Sequence, residues 1–176
     1  ELYDVQILGA IVLFYGNVAE MKTGEGKTLT ATLPMYLRWL QGTGNFLITT
    51  NEYLAWRDAE EVGKVYRWLW LSVAVGVKKY EFDKEIDKKV VYSSDIVYTT
   101  HSALGFDYLL DNLSVEKEKQ YISKFNFVII DELASILLDM VKTPLIISGA
   151  PKAQSNLHII TDAFLQSLAF DLDYEI

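Results

Sequence analysis

Short runs of β-branched and aromatic residues alternate along this chain with longer stretches in which apolar residues recur every three or four positions. The short runs predict strands over residues 17–19, 45–50, 71–77, 95–99, 127–130 and 145–147. The longer stretches predict helices over residues 2–15, 27–41, 51–69, 102–112, 135–140 and 157–168. This alternation is typical of an α/β fold with a mostly parallel sheet and helices on both faces.

Several positions add detail to the pattern. Pro34 predicts a kink in the second helix because proline removes one backbone donor, and Asn51 is the predicted cap of the third helix. The strand over residues 127–130 is apolar on both faces, so we expect it at the centre of the sheet. The charge-dense residues 78–89 predict a solvated excursion, and a change of pattern after Gly149 predicts a domain boundary there.

Residues 21–28 read Met-Lys-Thr-Gly-Glu-Gly-Lys-Thr, the pattern of a phosphate-binding loop. Gly24 and Gly26 let backbone amides approach phosphate oxygens. Lys27 is expected to reach the β- and γ-phosphates, and the Thr28 hydroxyl to bind Mg²⁺. The alternative is a glycine turn that precedes lysine and threonine by chance. On the phosphate-loop interpretation, the residues that bind nucleotide are Thr23, Gly24, Glu25, Gly26, Lys27 and Thr28.

Two carboxylates follow the strand over residues 127–130. Asp131 is expected to hold Mg²⁺ through its water shell, and Glu132 to orient or deprotonate the attacking water. Acidic residues are also favoured at the start of an ordinary helix. Asp131 and Glu132 therefore indicate a catalytic site only in combination with the phosphate loop. Loop and carboxylates together predict a site for ATP or ADP with Mg²⁺, in which Glu132, Asp131 and Lys27 are catalytic.

Other candidates rest on weaker patterns. Gln6 has the donor and acceptor needed to read N6 and N7 of adenine, but the polar face of an amphipathic helix explains it equally well. Arg57 follows the strand over residues 45–50, near the edge where open α/β sheets bind ligands, and a surface ion pair with Asp58 is an equal alternative. The tryptophans are predicted to lie in the core or in an interface, at Trp39, Trp56, Trp68 and Trp70.

Composition limits the function classes. The chain has 176 residues, no cysteine and a net charge of −8. Without cysteine, disulfides and thiolate metal sites are excluded, and an acidic domain is a poor match for a protein that grips nucleic-acid phosphates, so no nucleic-acid partner is expected. No run approaches the ~18 apolar residues of a membrane span, and no export leader is recognised, which suits a cytoplasmic protein.

Beyond these motifs, the chain resembles the first nucleotide-binding domain of SecA, the ATPase that drives preproteins through the SecY channel. The most specific matches are Gly-Phe-Asp-Tyr-Leu-Leu-Asp-Asn at 105–112 and Thr-Pro-Leu-Ile-Ile-Ser-Gly at 143–149. Further matching segments lie at residues 3–9, 19–34, 51–60 and 131–139. The resemblance implies a RecA-like, helicase-type fold over residues 1–149, and the start of a preprotein-crosslinking domain at 150–176.

The resemblance also implies partners and a location. It implies ATP-driven export of a preprotein substrate through a SecY-type channel, by a cytoplasmic protein that lies peripherally at the inner face of the cell membrane. ATP would be held between this domain and a second nucleotide-binding domain of the same full-length chain. The resemblance strengthens Gln6 as an adenine contact and places Arg57 near the nucleotide cleft.

The departures from the family pattern point to a subtype. Ala134 stands where the housekeeping family has a carboxylate, and Leu110 where it has arginine. Such changes resemble an accessory SecA of a Gram-positive bacterium. Two alternatives stay open: a superfamily 2 nucleic-acid helicase core, and a nucleotide-binding module with impaired turnover, for which Ala134 is the best support.

Overall fold

The apolar runs form one parallel sheet in the computed structural model, which describes residues 1–78, 86–140 and 143–148 together with 162 and 164. The strands are β1 (Asn45–Thr49), β2 (Val73–Val75), β3 (Ile96–Thr100) and β4 (Phe127–Ile130), in the order β2-β3-β1-β4. All three pairings are parallel, and Asn45 of β1 lies opposite both Ile96 and Phe127. The expected α/β class is confirmed.

Helices cover both faces of this sheet. They are α1 (Asp4–Phe14), α2 (Lys27–Thr30), α3 (Thr32–Trp39), α4 (Glu52–Glu61), α5 (Gly63–Trp68), α6 (Lys88–Tyr92) and α7 (His101–Leu113). A single 3₁₀ turn spans Lys117–Lys119 and a π-helical turn spans Ser135–Asp139. The short elements α6 and Lys117–Lys119 were not predicted, and the predicted helix over residues 135–140 is the π-helical turn.

Two cores lie on opposite sides of the sheet. One buries Leu47, Ile96, Tyr98 and Ile129 against side chains of α3, α4 and α5, including Met35. The other buries Phe46, Ile48 and Val97 with Val91 and Leu104 from α6 and α7. Because the strands have apolar side chains on both faces, the prediction of helices on both sides is confirmed.

The two long predicted helices are each broken. Residues 27–41 divide at Ala31, three positions before Pro34, because proline has no N–H to bond the carbonyl one turn earlier. Residues 51–69 divide at Val62, immediately before Gly63, which is a poor helix former. Asn51 caps α4 as expected, since its Oδ1 accepts from the N–H of Leu54 at 2.9 Å.

Some strand predictions are wrong. Residues 17–19 and 145–147 form no strand, because neither has a neighbouring strand to pair with among the described residues. Residues 71–77 pair only over Val73–Val75. β4 lies at the edge of the described sheet rather than at its centre, and Val128 is 45% exposed. Ile129 belongs to one core and Ile130 packs against the other, and packing of this kind does not require a partner strand on both edges.

Buried acids of α7 hold the surrounding segments in place. Asp107 Oδ2 accepts from the Tyr92 hydroxyl at 2.5 Å and lies 2.9 Å from Lys88 Nζ. One turn later, Asp111 accepts from the N–H groups of Tyr121 and Ile122 at 2.8 and 2.7 Å. Lys88 was expected in a solvated excursion, yet it is part of this buried network, while residues 79–85 lie outside the described residues.

The chain divides into two compact units, residues 1–145 and 146–176. Apart from positions 162 and 164, which are helical, the predicted helix over residues 157–168 lies outside the described residues. The assignment of residues 150–176 to a separate domain stays a prediction. Among the described residues, no helix has both the length and the apolar character needed to cross a membrane.

Candidate nucleotide-binding site

The glycine loop between α1 and α2 is a tight turn, held by a hydrogen bond to one of its own side chains. Gly24 and Gly26 have φ values of 90° and 82°, in the left-handed region that favours glycine. The Glu25 carboxylate accepts from the N–H of Lys22 at 2.8 Å, and α2 begins at Lys27 directly after Gly26. The loop therefore has the tight turn and helix start that the motif predicts, although no strand precedes it.

Gln6 reaches this loop from α1. It is only 5% exposed, accepts from the N–H of Tyr3 at 2.9 Å and donates from Nε2 to the Glu25 carbonyl at 3.0 Å. A Cβ atom at Gly26 would lie 2.3 Å from Gln6 Nε2. Glycine is therefore required at 26 for the close approach as well as for the backbone angle. The hydrogen bond from Gln6 Nε2 to the Glu25 carbonyl therefore joins the candidate adenine contact directly to the phosphate loop.

The two acids lie at the carboxyl end of β4. The N–H of Asp131 donates to the Ile48 carbonyl at 2.8 Å, which fixes its backbone to β1. Asp131 Oδ1 accepts from the N–H of Glu132 at 3.0 Å. Glu132 has φ 55°, a left-handed conformation that costs energy for any residue with a Cβ. This turn directs the Glu132 carboxylate toward the phosphate loop.

Lys27 and Glu132 form an ion pair, although they are 105 positions apart. Lys27 Nζ lies 3.1 Å from Glu132 Oε1. The side chains are 37% and 53% exposed, so water screens the pair and it contributes little to stability. A weak, solvent-screened pair leaves the Lys27 ammonium available to another anion.

A cavity of about 70 Å³ brings the predicted magnesium ligands together. Its lining includes Lys27, Thr28 and Asp131, together with Met21 of the loop. A second cavity, about 340 Å³, is lined by Lys27, Asp131 and Glu132. Hydroxyl and carboxylate oxygens are the donors that Mg²⁺ prefers, so these residues fit the ion. The described residues contain no cluster of three or more acidic, histidine or cysteine side chains for a metal.

Asp58 is a member of this site that the sequence reasoning treated only as the partner in a surface pair. It is 2% exposed and lines the smaller cavity with Asp131. Arg57 Nε and Nη2 both donate to Asp58 Oδ1, at 2.9 and 2.7 Å. Helical spacing indicates the burial of Asp58, because it places Ala55, Asp58 and Ala59 on one face of α4, and that face is buried.

Burial and charge act on this pair in opposite directions. Burial raises the pKa of Asp58, and the negative charge of Asp131 raises that pKa further, while the hydrogen bond from Arg57 lowers it. The bond to Asp58 raises the pKa of Arg57. Arg57 itself lies outside both cavities and is connected to the site through Asp58. Thr23 is exposed at the tip of the loop.

The family described as "SecA DEAD-like domain" matches residues 1–173. The chain belongs to this family. SecA relatives named "Protein translocase subunit SecA 2" are 57% identical in Pediococcus pentosaceus, 58% in Streptococcus sanguinis and 51% in Staphylococcus aureus. Each match covers 98% of this chain but 22% of the relative, so the chain spans about a fifth of the length of these SecA proteins. The RecA-like fold expected from the SecA resemblance is confirmed.

Proposed function

We propose that residues 1–149 are the first nucleotide-binding domain of an ATP-driven SecA translocase. The observation that carries the proposal is that Lys27, Thr28 and Asp131 line one cavity of a SecA-family fold, with Glu132 beside Lys27. Residues 150–176 would begin the preprotein-crosslinking domain. Because the chain spans a fifth of its relatives, ATP turnover and export are activities of the full-length protein.

Each site residue has a role that its position supports. Gln6 would bind the adenine, while the loop amides from Thr23 to Gly26 and the Lys27 ammonium would hold the phosphates. Thr28 and Asp131 would hold Mg²⁺, which when bound neutralises phosphate charge. Glu132 would leave Lys27 as the phosphates arrive, and its carboxylate would accept a proton from the attacking water. Asp58 would hold Arg57 at the rim of the site.

The partners and location follow from the family rather than from the site. We infer a preprotein substrate, a SecY-type channel and a second nucleotide-binding domain of the same polypeptide, with the protein lying at the inner face of the membrane. The names of the relatives support the accessory subtype and favour protein translocation over a nucleic-acid helicase. The net charge of −8 also disfavours a helicase.

The test is Glu132→Gln in the full-length protein. Loss of a general base lowers hydrolysis by about 10²-fold or more, whereas nucleotide affinity does not fall, because a neutral glutamine competes less with phosphate for Lys27. ATP turnover and binding of a fluorescent ADP analogue measure the two effects. Glu116→Gln is the matched control, since Glu116 also pairs with a lysine but lies at an exposed turn. Wild-type hydrolysis by Glu132→Gln would refute the assignment of the base.

A further inference from the structure

Trp68 and Trp70 are two indoles that the fold does not use. They lie at the end of α5 and in the turn to β2, and they are 79% and 94% exposed. Val65, one helical turn before Trp68, is also exposed. An aromatic side chain has about 150–250 Å² of surface that can be buried. The two indoles together therefore expose roughly 400 Å² of largely apolar surface, which is the size of a functional patch on a monomer. Of the two positions predicted for these tryptophans, core or interface, the core position is wrong for both.

The backbone at Trp70 is unfavourable for this side chain. The N–H of Leu71 donates to the Tyr66 carbonyl and the N–H of Trp70 to the Arg67 carbonyl, each at 3.0 Å. This is the Schellman arrangement, whose left-handed position is usually occupied by glycine. Trp70 occupies it with φ 66°. A bulky residue that holds a strained backbone position while 94% exposed indicates a role outside folding.

The turn that carries the two rings is fixed to the sheet. Ser72 donates from its N–H and its hydroxyl to Asp95 Oδ2, at 2.7 and 2.6 Å. Trp39 Nε1 donates to the other oxygen of Asp95 at 2.8 Å. The indoles are therefore displayed on a rigid turn, and binding through them costs little conformational entropy.

The surroundings of the indoles favour a lipid surface. Lys64 and Arg67 flank the rings, are exposed, and form no salt bridge with any described residue. Tryptophan beside lysine and arginine is typical of the membrane interface, where the ring lies at headgroup depth and the cation meets lipid phosphate. The exposed area of the patch, roughly 400 Å², is half of the ~800 Å² that each partner of a standard protein interface buries.

The position of the turn is compatible with nucleotide binding. It precedes β2, at the amino ends of the parallel strands, whereas Asp131 follows the carboxyl end of β4. We propose that Trp68 and Trp70 insert into the headgroup region of a phospholipid bilayer, with Lys64 and Arg67 contacting anionic headgroups. The proposal rests on the proposed function only for the presence of the protein at the membrane.

The test uses the full-length protein and vesicles of phosphatidylcholine, with or without phosphatidylglycerol, carrying brominated acyl chains that quench nearby tryptophan. Wild-type fluorescence is quenched, and the double variant Trp68→Ser/Trp70→Gly loses that part of the quenching. The glycine suits φ 66°, so the melting temperature stays the same or rises. Trp56→Phe is the matched control and retains the quenching, because Trp56 is half-buried with its Nε1 bonded to the Val77 carbonyl.

Two further readouts complete the test. Lys64→Gln/Arg67→Gln weakens binding to phosphatidylglycerol vesicles roughly tenfold or more and leaves binding to pure phosphatidylcholine unchanged. ATP turnover without lipid equals wild type in every variant, so failure of lipid binding is separable from failure of the proposed ATPase. Equal quenching in the double variant, no quenching in the wild type, or binding only to vesicles that contain channel protein would overturn the proposal.

Discussion

At the scale of single residues, Gln6, the proposed adenine contact, is hydrogen-bonded to the candidate phosphate loop. Its amide donates to the Glu25 carbonyl, in the middle of the loop. Gln6→Ala removes this bond, worth about 1 kcal/mol net, and should weaken binding about fivefold even for a ligand without adenine. Isothermal titration with ATP and with tripolyphosphate measures the two affinities. Unchanged affinity for tripolyphosphate would show that Gln6 acts only on the base.

The two loop glycines provide a matched pair of substitutions. Both have positive φ, so Gly24→Ala and Gly26→Ala each impose backbone strain of about 1–2 kcal/mol. At Gly24 no atom lies within 4 Å of a new Cβ, whereas at Gly26 the Gln6 amide would be only 2.3 Å away. Gly26→Ala should therefore lower nucleotide affinity and melting temperature more than Gly24→Ala. Equal losses would mean that the contact with Gln6 imposes no constraint.

At this scale, the sequence predicts which side chains have the right chemistry for a nucleotide site better than it predicts which side chains are buried. Lys27, Thr28 and Asp131 could be assigned because glycine, lysine, hydroxyl and carboxylate side chains have specific chemistry with phosphate and magnesium. Asp58 was not assigned to the site, because its burial depends on packing between α4 and the sheet. The Lys27–Glu132 pair also could not be foreseen, since it depends on the left-handed turn at Glu132.

At the scale of elements, the network around Asp107 attaches α6 to α7. Asp107 is buried between the Tyr92 hydroxyl and Lys88 Nζ. Asp107→Ala leaves the buried Tyr92 hydroxyl without its acceptor and should lower the free energy of unfolding by about 2 kcal/mol in urea denaturation. Lys88 loses its ion pair but is 25% exposed and keeps its bond to the Gly76 carbonyl. Glu116→Ala, which breaks an exposed pair with Lys119, should change it by less than about 1 kcal/mol. Similar losses for both variants would contradict a buried network.

Asp95 joins three elements and gives the fold a pH dependence. Burial alone would raise the pKa of Asp95, but hydrogen bonds from Ser72 and Trp39 outweigh it and lower the pKa. A lowered pKa means that this stabilisation is present above the unfolded value of about 3.9 and is lost as pH falls through the folded value. Asp95→Asn should therefore destabilise by about 1–2 kcal/mol at pH 7, with the difference shrinking below about pH 4. Thermal unfolding across pH, with Glu61→Gln as control, measures this; a constant difference would contradict it.

The elements also show where periodicity is sufficient and where it is not. β1, β3 and β4 were predicted almost to the residue, because each is a short apolar run between polar turns. Residues 17–19 and 145–147 have similar composition but form no strand, since pairing requires a neighbour that a local pattern cannot supply. The helix breaks at Ala31 and Val62 follow from Pro34 and Gly63, and only the first was predicted.

At the scale of the whole molecule, the proposed function makes the site described here one side of a motor. Hydrolysis in this class of ATPase needs cations from a second domain to stabilise charge on the transferring phosphate, a contribution of about 10³–10⁵ in rate. We therefore expect a polypeptide of residues 1–176 to bind ADP weakly and to hydrolyse ATP very slowly, while the full-length protein turns over. Single-turnover hydrolysis at equal site concentration compares the two, with Lys27→Ala as the background in each. If residues 1–176 alone hydrolysed ATP as fast as the full-length protein, Lys27, Asp131 and Glu132 would suffice for hydrolysis, and no cations from a second domain would be needed.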